Sequence, residues 1–260
     1  MNILLAFKAE PDLSMLVDSD WQQAACANQA PDPSLMRVVM GNDEQGAAEL
    51  MLQARDIDPT LALAAITLGD DRAVGLLRHL AALGIGQRTL LHSAADSRFS
   101  PAWVAEQLAQ QVRRLSSEMV LVGTQSSEGQ NGQTGWLLAE MLGWPCLTQV
   151  SRLLPASDAM AVECRSATHI SRWQLRQPAV LMVQNRGQLA LRVPGMRARL
   201  AAARAEVEVV EATPPGEPRL QCRALARNAQ LRAGRVIAGG SAQENVQQLW
   251  RDGLAERMRR

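Results

Sequence analysis

Two rhythms of apolar and polar positions alternate along the chain. Short, nearly continuous apolar runs occur at Met1–Phe7, Leu61–Leu68, Thr89–His92 and Met119–Val122, the pattern of strands buried on both faces. Between them, apolar residues recur three and four positions apart. One such stretch can be capped by Asn42 or Asp43 and runs through Glu49 to Arg55. A second starts near Gly69 and Asp70 and runs through Leu83, with Leu76, Leu77, Leu80 and Leu83 on one side. Pro101 opens a third helix to Leu115, and a fourth runs from Gly132 to Leu142, closed by Gly143 and Pro145. Residues 16–39 read as irregular with short strands. Strand and helix in this order predict an α/β fold with a doubly wound, mainly parallel sheet.

Past Pro145 the rhythm turns strand-like, at Leu147–Leu154, Met160–Cys164, His169–Leu175 and Ala179–Val183, predicting an added antiparallel hairpin or meander. A helix is expected at Met196–Arg204 and a strand at Val207–Val210. Thr213–Pro218 reads TPPGEP, and three prolines and a glycine in six residues predict a linker. The chain thus divides into an α/β domain over 1–212, a linker over 213–218 and a C-terminal arm over 219–260. In that arm Ala242–Arg259 has helical spacing, with Val246, Leu249, Trp250 and Leu254 on one face, as expected of a clasp on a partner subunit.

Composition narrows the class. The 260 residues carry a net charge of +1 and 47% hydrophobic residues, and no run of about 18 apolar residues predicts a membrane span. The first residues lack the basic and long apolar regions of a signal peptide, so a cytoplasmic protein is expected. Cys26, Cys146, Cys164 and Cys222, like His79, His92 and His169, are scattered without metal-ligand spacing, which predicts free, buried thiols in a reducing compartment. From Arg197 onward there are 12 Arg against 7 acidic residues, so the C-terminal part is positive and the rest negative. These arginines are interleaved with acids and have few aromatic neighbours, which points to a protein partner or solvent rather than nucleic acid.

The chemically pointed stretch is Val122–Pro145, VGTQSSEGQNGQTGWLLAEMLGWP. A polar, glycine-containing turn runs straight into a helix, and the N–H groups of such a start can hold phosphate without Lys or Arg. Four places lie at strand ends where an α/β sheet binds ligands: after Phe7, at Met40–Asp43, at Leu68–Gly69 and at Gly123–Thr134. Neither GxGxxG nor GxxxxGK[ST] occurs, so a dinucleotide Rossmann site and a Walker ATPase are unsupported. On the residues alone, a nucleotide cradle and a plain helix-capping loop both remain open. Lys8, the only lysine, reads either as a phosphate ligand or as a surface residue.

Several blocks, in order from residue 1 onward, together resemble the β subunit of electron transfer flavoproteins, in a divergent bacterial form. The 122–145 block resembles that family's nucleotide loop. FKAEPD resembles VKxxPD, NDEQGAAELMLQARD resembles NPxDExAVEEALRLKE, and ITLGDDRAVGLLRHLAALGIGQRTLL resembles VTVGPxxAEEALRxALAMGADRAILV. QPAVLMVQ and VPGMRARLAAA resemble the PAV strand and the LPGIMKAxKK segment.

The resemblance implies an adenine nucleotide α-hydrolase-like sheet and an electron-carrier subunit rather than an enzyme. It implies pairing with an α subunit, an FAD held at their interface, and AMP, or a second FAD in bifurcating members, in the β subunit. Carried over by position, the pocket comprises Ala6, Met40, Gly41, Asn42, Asp43, Leu68, Gly123, Thr124, Gln125, Ser126, Ser127, Glu128, Gly129, Gln130, Asn131, Gly132, Gln133 and Thr134. Two departures matter. The family's acidic DxD is here Glu128-Gly129-Gln130, which weakens the case for ribose contacts or a bifurcating FAD. The anchoring leucine of the dehydrogenase-docking segment is Val193, with one residue fewer after Gly195, implying a flavin dehydrogenase or oxidoreductase other than the usual fatty acyl type. A universal-stress-protein-like nucleotide module is the competing class, but its G-x-x-G-x(9)-G-S/T loop is absent, and a small hydrolase lacks paired carboxylates with His.

Overall fold

A computed structural model describes residues 1–27, 29–127, 129–185, 187, 189–217, 226, 236–255 and 258. The strands are β1 Asn2–Phe7, β2 Ala9–Pro11, β3 Val38–Met40, β4 Ala62–Gly69, β5 Gln87–His92, β6 Met119–Gly123, β7 Cys146–Ala156, β8 Ala159–Arg165, β9 Ile170–Leu175, β10 Ala179–Val183 and β11 Glu208–Glu211. The helices are α1 Asp18–Cys26, α2 Asn42–Ile57, α3 Val74–Ala82, α4 Pro101–Arg114, α5 Thr134–Leu142, α6 Met196–Ala202 and α7 Ala242–Leu249. Among the described residues, nine strands form one sheet in the order β11-β5-β4-β1-β6-β10-β7-β8-β9, and β2 and β3 pair separately as a short antiparallel ribbon.

From β11 to β7 the sheet is parallel, with Leu4 opposite Ala64 on one side and Val120 on the other. Its strands are apolar throughout because both faces are covered. Alternation along β1 sends Ile3, Leu5 and Phe7 into the core beneath α2 and α3, and Leu4 and Ala6 into the core beneath α4 and α5. The chain runs outward from β1 through β4 to β5, then returns across α4 to β6 on the other side of β1. The winding direction therefore switches between β1 and β6, where an α/β sheet leaves a crevice at its carboxyl edge.

The parallel sheet and the antiparallel extension match the sequence expectation, with three differences. Residues 16–39 contain α1, whose apolar stripe is missing because it buries only Ala24; the Asp20 carboxylate instead accepts the Val17 N–H, 3.1 Å. Only β7, β8 and β9 form the meander, while β10 inserts as a parallel strand between β6 and β7. Every residue of β10 is buried, as a central strand requires. Finally, β11 crosses to the far edge and pairs with β5, where Glu208 accepts both Arg114 guanidinium nitrogens at 2.7 and 2.8 Å.

Cys26 is exposed, contrary to the expectation of buried thiols, because α1 barely touches the core. Cys164 is buried and Cys146 half-buried, and desolvation pushes the Cys146 thiol up to about 11. Cys222 lies outside the described residues. Thr213, at the first linker position, is anchored to α4: its N–H donates to Gln107 Oε1 at 3.0 Å and its carbonyl accepts Trp103 Nε1 at 2.9 Å. Most of the 219–238 segment falls outside the described residues. The expected last helix appears as α7 and a wider π turn over Trp250–Leu254, and none of its described residues is buried.

The strap after β10 is held to α2 by a charge cluster. Arg192 donates to Glu49 through Nε, Nη2 and its backbone N–H at 2.8–3.2 Å, and Nη1 meets Asp56 at 2.7 Å. Burial alone would raise the Glu49 carboxyl, but the Arg192 hydrogen bonds hold it below its ordinary value. Arg192→Met is expected to cost about 2 kcal/mol, less than a fully buried pair because Arg192 stays partly exposed. A lowered carboxyl contributes stability above its unfolded value near 4.5 and loses it as pH falls through the folded value. Denaturant titrations should therefore show the gap between wild type and variant at pH 7 shrinking below pH 4.5.

Candidate functional site

At the switch point the carboxyl ends of β1, β4 and β6 border a cleft of about 780 Å³, mouth included. Ala6, Phe7 and Lys8 continue from β1, Leu68 from β4, and Val122, Gly123 and Thr124 from β6. Pro101, Val104 and Leu108 of α4 form an apolar wall on one face of the sheet. Ser126 and Asn131–Thr134 line the loop side, Ser97 and Arg98 join them, and Glu44 enters from α2 on the opposite face.

The loop after β6 is tied down by carboxylates from elsewhere. Asp43 Oδ2 accepts the N–H of Thr124 at 3.2 Å and of Gln125 at 3.3 Å, while its Oδ1 accepts the N–H of Asn185 at 2.7 Å. Asn42 donates to the Asn185 carbonyl at 2.6 Å. Helix α2 begins at Asn42 with Gly41 at the cap position, so neither Asn42 nor Asp43 caps it; both side chains join loops instead. Buried Glu10 accepts both the N–H and the hydroxyl of Ser127, and its other oxygen lies 3.3 Å from Lys8 Nζ.

Left-handed backbone shapes the rest of the loop, with φ of +74° at Gly129, +46° at Gln130 and +63° at Gly132. A Cβ on Gly129 would lie 2.7 Å from the Arg98 carbonyl, so that approach needs glycine. Asn131 donates to the same carbonyl at 2.7 Å. The turn delivers the chain to α5, whose N-cap Gln133 makes no side-chain capping bond. Its first N–H groups lack partners within the helix and carry the positive end of the helix dipole.

Glu44 is the unusual group. It is 5% exposed, and its Oε2 has no hydrogen-bond partner. Desolvation raises the carboxyl to about 7; its own backbone N–H lowers it, the charges of Glu10 and Asp43 raise it further, and Lys8 lowers it. A Cβ on Gly123 would lie 2.7 Å from its carboxyl carbon, and one on Gly41 would collide with Oε2. Both glycines therefore give the carboxyl its room.

Of the residues expected in the pocket, Ala6, Leu68, Gly123, Thr124, Ser126, Asn131, Gly132, Gln133 and Thr134 line this cleft. Gly41, Asn42, Asp43, Gln125, Ser127, Gly129 and Gln130 surround it and fix the loops. Met40 is buried on β3, away from the lining. Glu128 lies outside the described residues. Phe7, Lys8, Glu44, Ser97, Arg98 and the α4 wall line the cleft without having been included. Acidic residues in a first helical turn are ordinary, so nothing local distinguishes Glu44. The docking segment is exposed, with Val193 at 75%, Met196 at 71% and Leu200 at 69% exposure on and before α6.

Residues 39–215 match the family model described as the electron transfer flavoprotein domain. The protein YgcR of Escherichia coli K12, named for an electron transfer flavoprotein subunit, is 46% identical over 259 residues, 99% of either chain. The electron transfer flavoprotein subunit beta of Megasphaera elsdenii is 22% identical over 219 residues, 82% of this chain and 78% of that one. CarD, a subunit of the caffeyl-CoA reductase-Etf complex of Acetobacterium woodii, is 25% identical over 140 residues, 48% of this chain and 53% of its own. With a family match over most of its length and a full-length relative, the chain belongs to the electron transfer flavoprotein family, on the side of its β subunits.

Proposed function

We propose that this chain is the β subunit of a heterodimeric electron transfer flavoprotein, binding AMP in the cleft and helping an α subunit hold FAD at their interface. The observation that carries the reading is the cleft itself: it lies at the switch point of a family member and ends on the uncapped start of α5. The residues present suit an adenine nucleotide. Leu68, Pro101, Val104 and Leu108 offer an apolar wall to a base, and the N–H groups at the start of α5 suit a phosphate. When bound, FAD supplies the electron-transfer chemistry between a dehydrogenase and an acceptor. The chain's own residues bind, orient and exclude water, so the isolated subunit carries electrons only with its partner.

In this reading 1–212 is the nucleotide domain, 213–218 the linker, and 219–260 an arm that clasps the α subunit. The exposed apolar side chains Val246, Leu249, Trp250 and Leu254 suit such a contact. Val193, Met196 and Leu200 form the patch that a flavin dehydrogenase or oxidoreductase covers. No helix of the described residues is long and apolar enough to cross a membrane, and we place the complex in the cytoplasm. Co-expression with its α subunit should yield a yellow complex releasing equal amounts of FAD and AMP, measured by absorbance and mass spectrometry. Two FAD per heterodimer would replace AMP with a second flavin, and a colourless complex would refute the flavoprotein reading.

A further inference from the structure

Among the described residues lining the cleft, one buried side-chain oxygen has no hydrogen-bond partner. Glu44 lines the cleft and its buried Oε2 has no hydrogen-bond partner, whereas Glu10 and Asp43 beside it are engaged by Ser127, Lys8, Thr124, Gln125 and Asn185. An unanswered buried acceptor of this kind is unfavourable until a donor reaches it. The Gly41 and Gly123 contacts show that space for this carboxyl is built in, since a side chain at either position would drive it out. Glu44 also comes from α2, on the face of the sheet opposite the apolar α4 wall and α5. A nucleotide with its base on that wall and its phosphate at α5 turns its sugar, or the edge of its base, toward Glu44.

We propose that Glu44 is the specificity-determining acceptor of this cleft, taking a hydrogen bond from a neutral donor of the bound nucleoside, a ribose hydroxyl or the exocyclic amine. The assignment rests on the nucleotide reading above and supplies an acceptor where the loop's acidic pair has become Glu128-Gly129-Gln130. It also sets a sign for proton linkage. The ionised carboxylate is the better acceptor, so ligand binding lowers the Glu44 value from about 7 and releases a proton. The charged groups facing it are Asp43 on α2, Glu10 on β2 and Lys8 after β1, with the Asp96–Arg98 pair across the cleft.

Isothermal titration of the full chain, stripped of nucleotide, with AMP, 2′-deoxy-AMP, 3′-deoxy-AMP and IMP tests this. Wild type should bind AMP at least about 10-fold tighter than one of the three analogues, and Glu44→Ala should level that difference. The analogue concerned identifies the donor: a deoxy sugar for a hydroxyl, IMP for the amine. AMP affinity should rise from pH 6 to pH 8 more steeply in wild type than in Glu44→Gln, which shares the phosphate's own titration but lacks the carboxyl's. Equal discrimination in wild type and Glu44→Ala, or an affinity that falls with pH relative to Glu44→Gln, overturns the proposal and leaves AMP binding standing. Wild type that binds neither AMP nor FAD overturns both readings together. Circular dichroism and thermal melts of both variants exclude misfolding as the cause of a loss.

Discussion

Asp43→Ala is expected to weaken AMP binding by at least about 100-fold and to destabilise the chain by about 3 kcal/mol, one bond to a charged group being worth about 1.5–3 kcal/mol. The size follows from the number of donors that one carboxylate serves. Thr124 and Gln125 on the loop after β6, and Asn185 on the loop after β10, all donate backbone N–H groups to Asp43. Removing it takes the shared acceptor from the Gln125 and Asn185 N–H groups and lets both loops leave the cleft, while the Thr124 N–H keeps its bond to the Val183 carbonyl at 3.0 Å. Asn at this position would offer one oxygen and turn an NH₂ group toward other N–H groups, so Asp43→Asn should recover little. Thr124→Ala is the useful contrast. It loses only the hydroxyl bond to the Val183 carbonyl at 3.0 Å and should cost about 1 kcal/mol. Thermal melts with and without AMP separate the two effects, and an Asp43→Ala protein that binds like wild type would contradict the role given to this residue.

Gly135→Val is expected to cost about 3 kcal/mol and to abolish tight AMP binding. Helix propensity argues the other way, since glycine inside a helix is worse than alanine by about 1 kcal/mol. Space decides the outcome. A Cβ here would lie 2.8 Å from Met182 Cγ and 3.0 Å from Val122 Cγ2, both side chains buried in the sheet. Alanine can be absorbed in part by movement of the flexible Met182 and should cost less than valine, whose branches have no such outlet. A valine would lift the first turn of α5 off β6 and β10 and withdraw the N–H groups facing the cleft. Chemical denaturation of the Ala and Val variants should rank them in that order, and equal stability with wild type would show that α5 is not seated as described.

How much of this was legible in the sequence differed by element. The parallel core was legible because its strands bury both faces and its helices carry apolar stripes, so both rhythms are strong in segments such as Leu61–Leu68 and Leu76–Leu83. The sheet order was not. β10, AVLMV, is continuously apolar where the three strands before it carry polar residues, which marks burial on both faces but not its place between β6 and β7. Helix α1 lacked the periodic signal because a helix with one buried residue has no stripe to show. At the site, the Gly123–Thr134 loop was recognisable from its own composition and its likeness to a family loop. Glu44 and Arg98 were not, since what distinguishes them is a long-range juxtaposition across the cleft. Asp43 was visible as a polar helix start, but its bonds go to residues about 80 and 140 positions away, which no local cap rule anticipates.

The insertion of β10 between β6 and β7 also dictates an order of events during synthesis. Hairpins such as β7–β8 close in about 1–10 μs, but the meander cannot join the sheet until residues 179–183 have emerged to bridge it. At about 5–20 residues per second, the ribosome leaves the free edge of β6 exposed for seconds after that strand is made. The edge of β5 waits longer still, until β11 arrives more than a hundred residues later. Exposed strand edges are where chains pair wrongly with their neighbours. The interval in which this protein is open to aggregation is therefore set by translation speed, and faster synthesis should shorten it without any change in final stability.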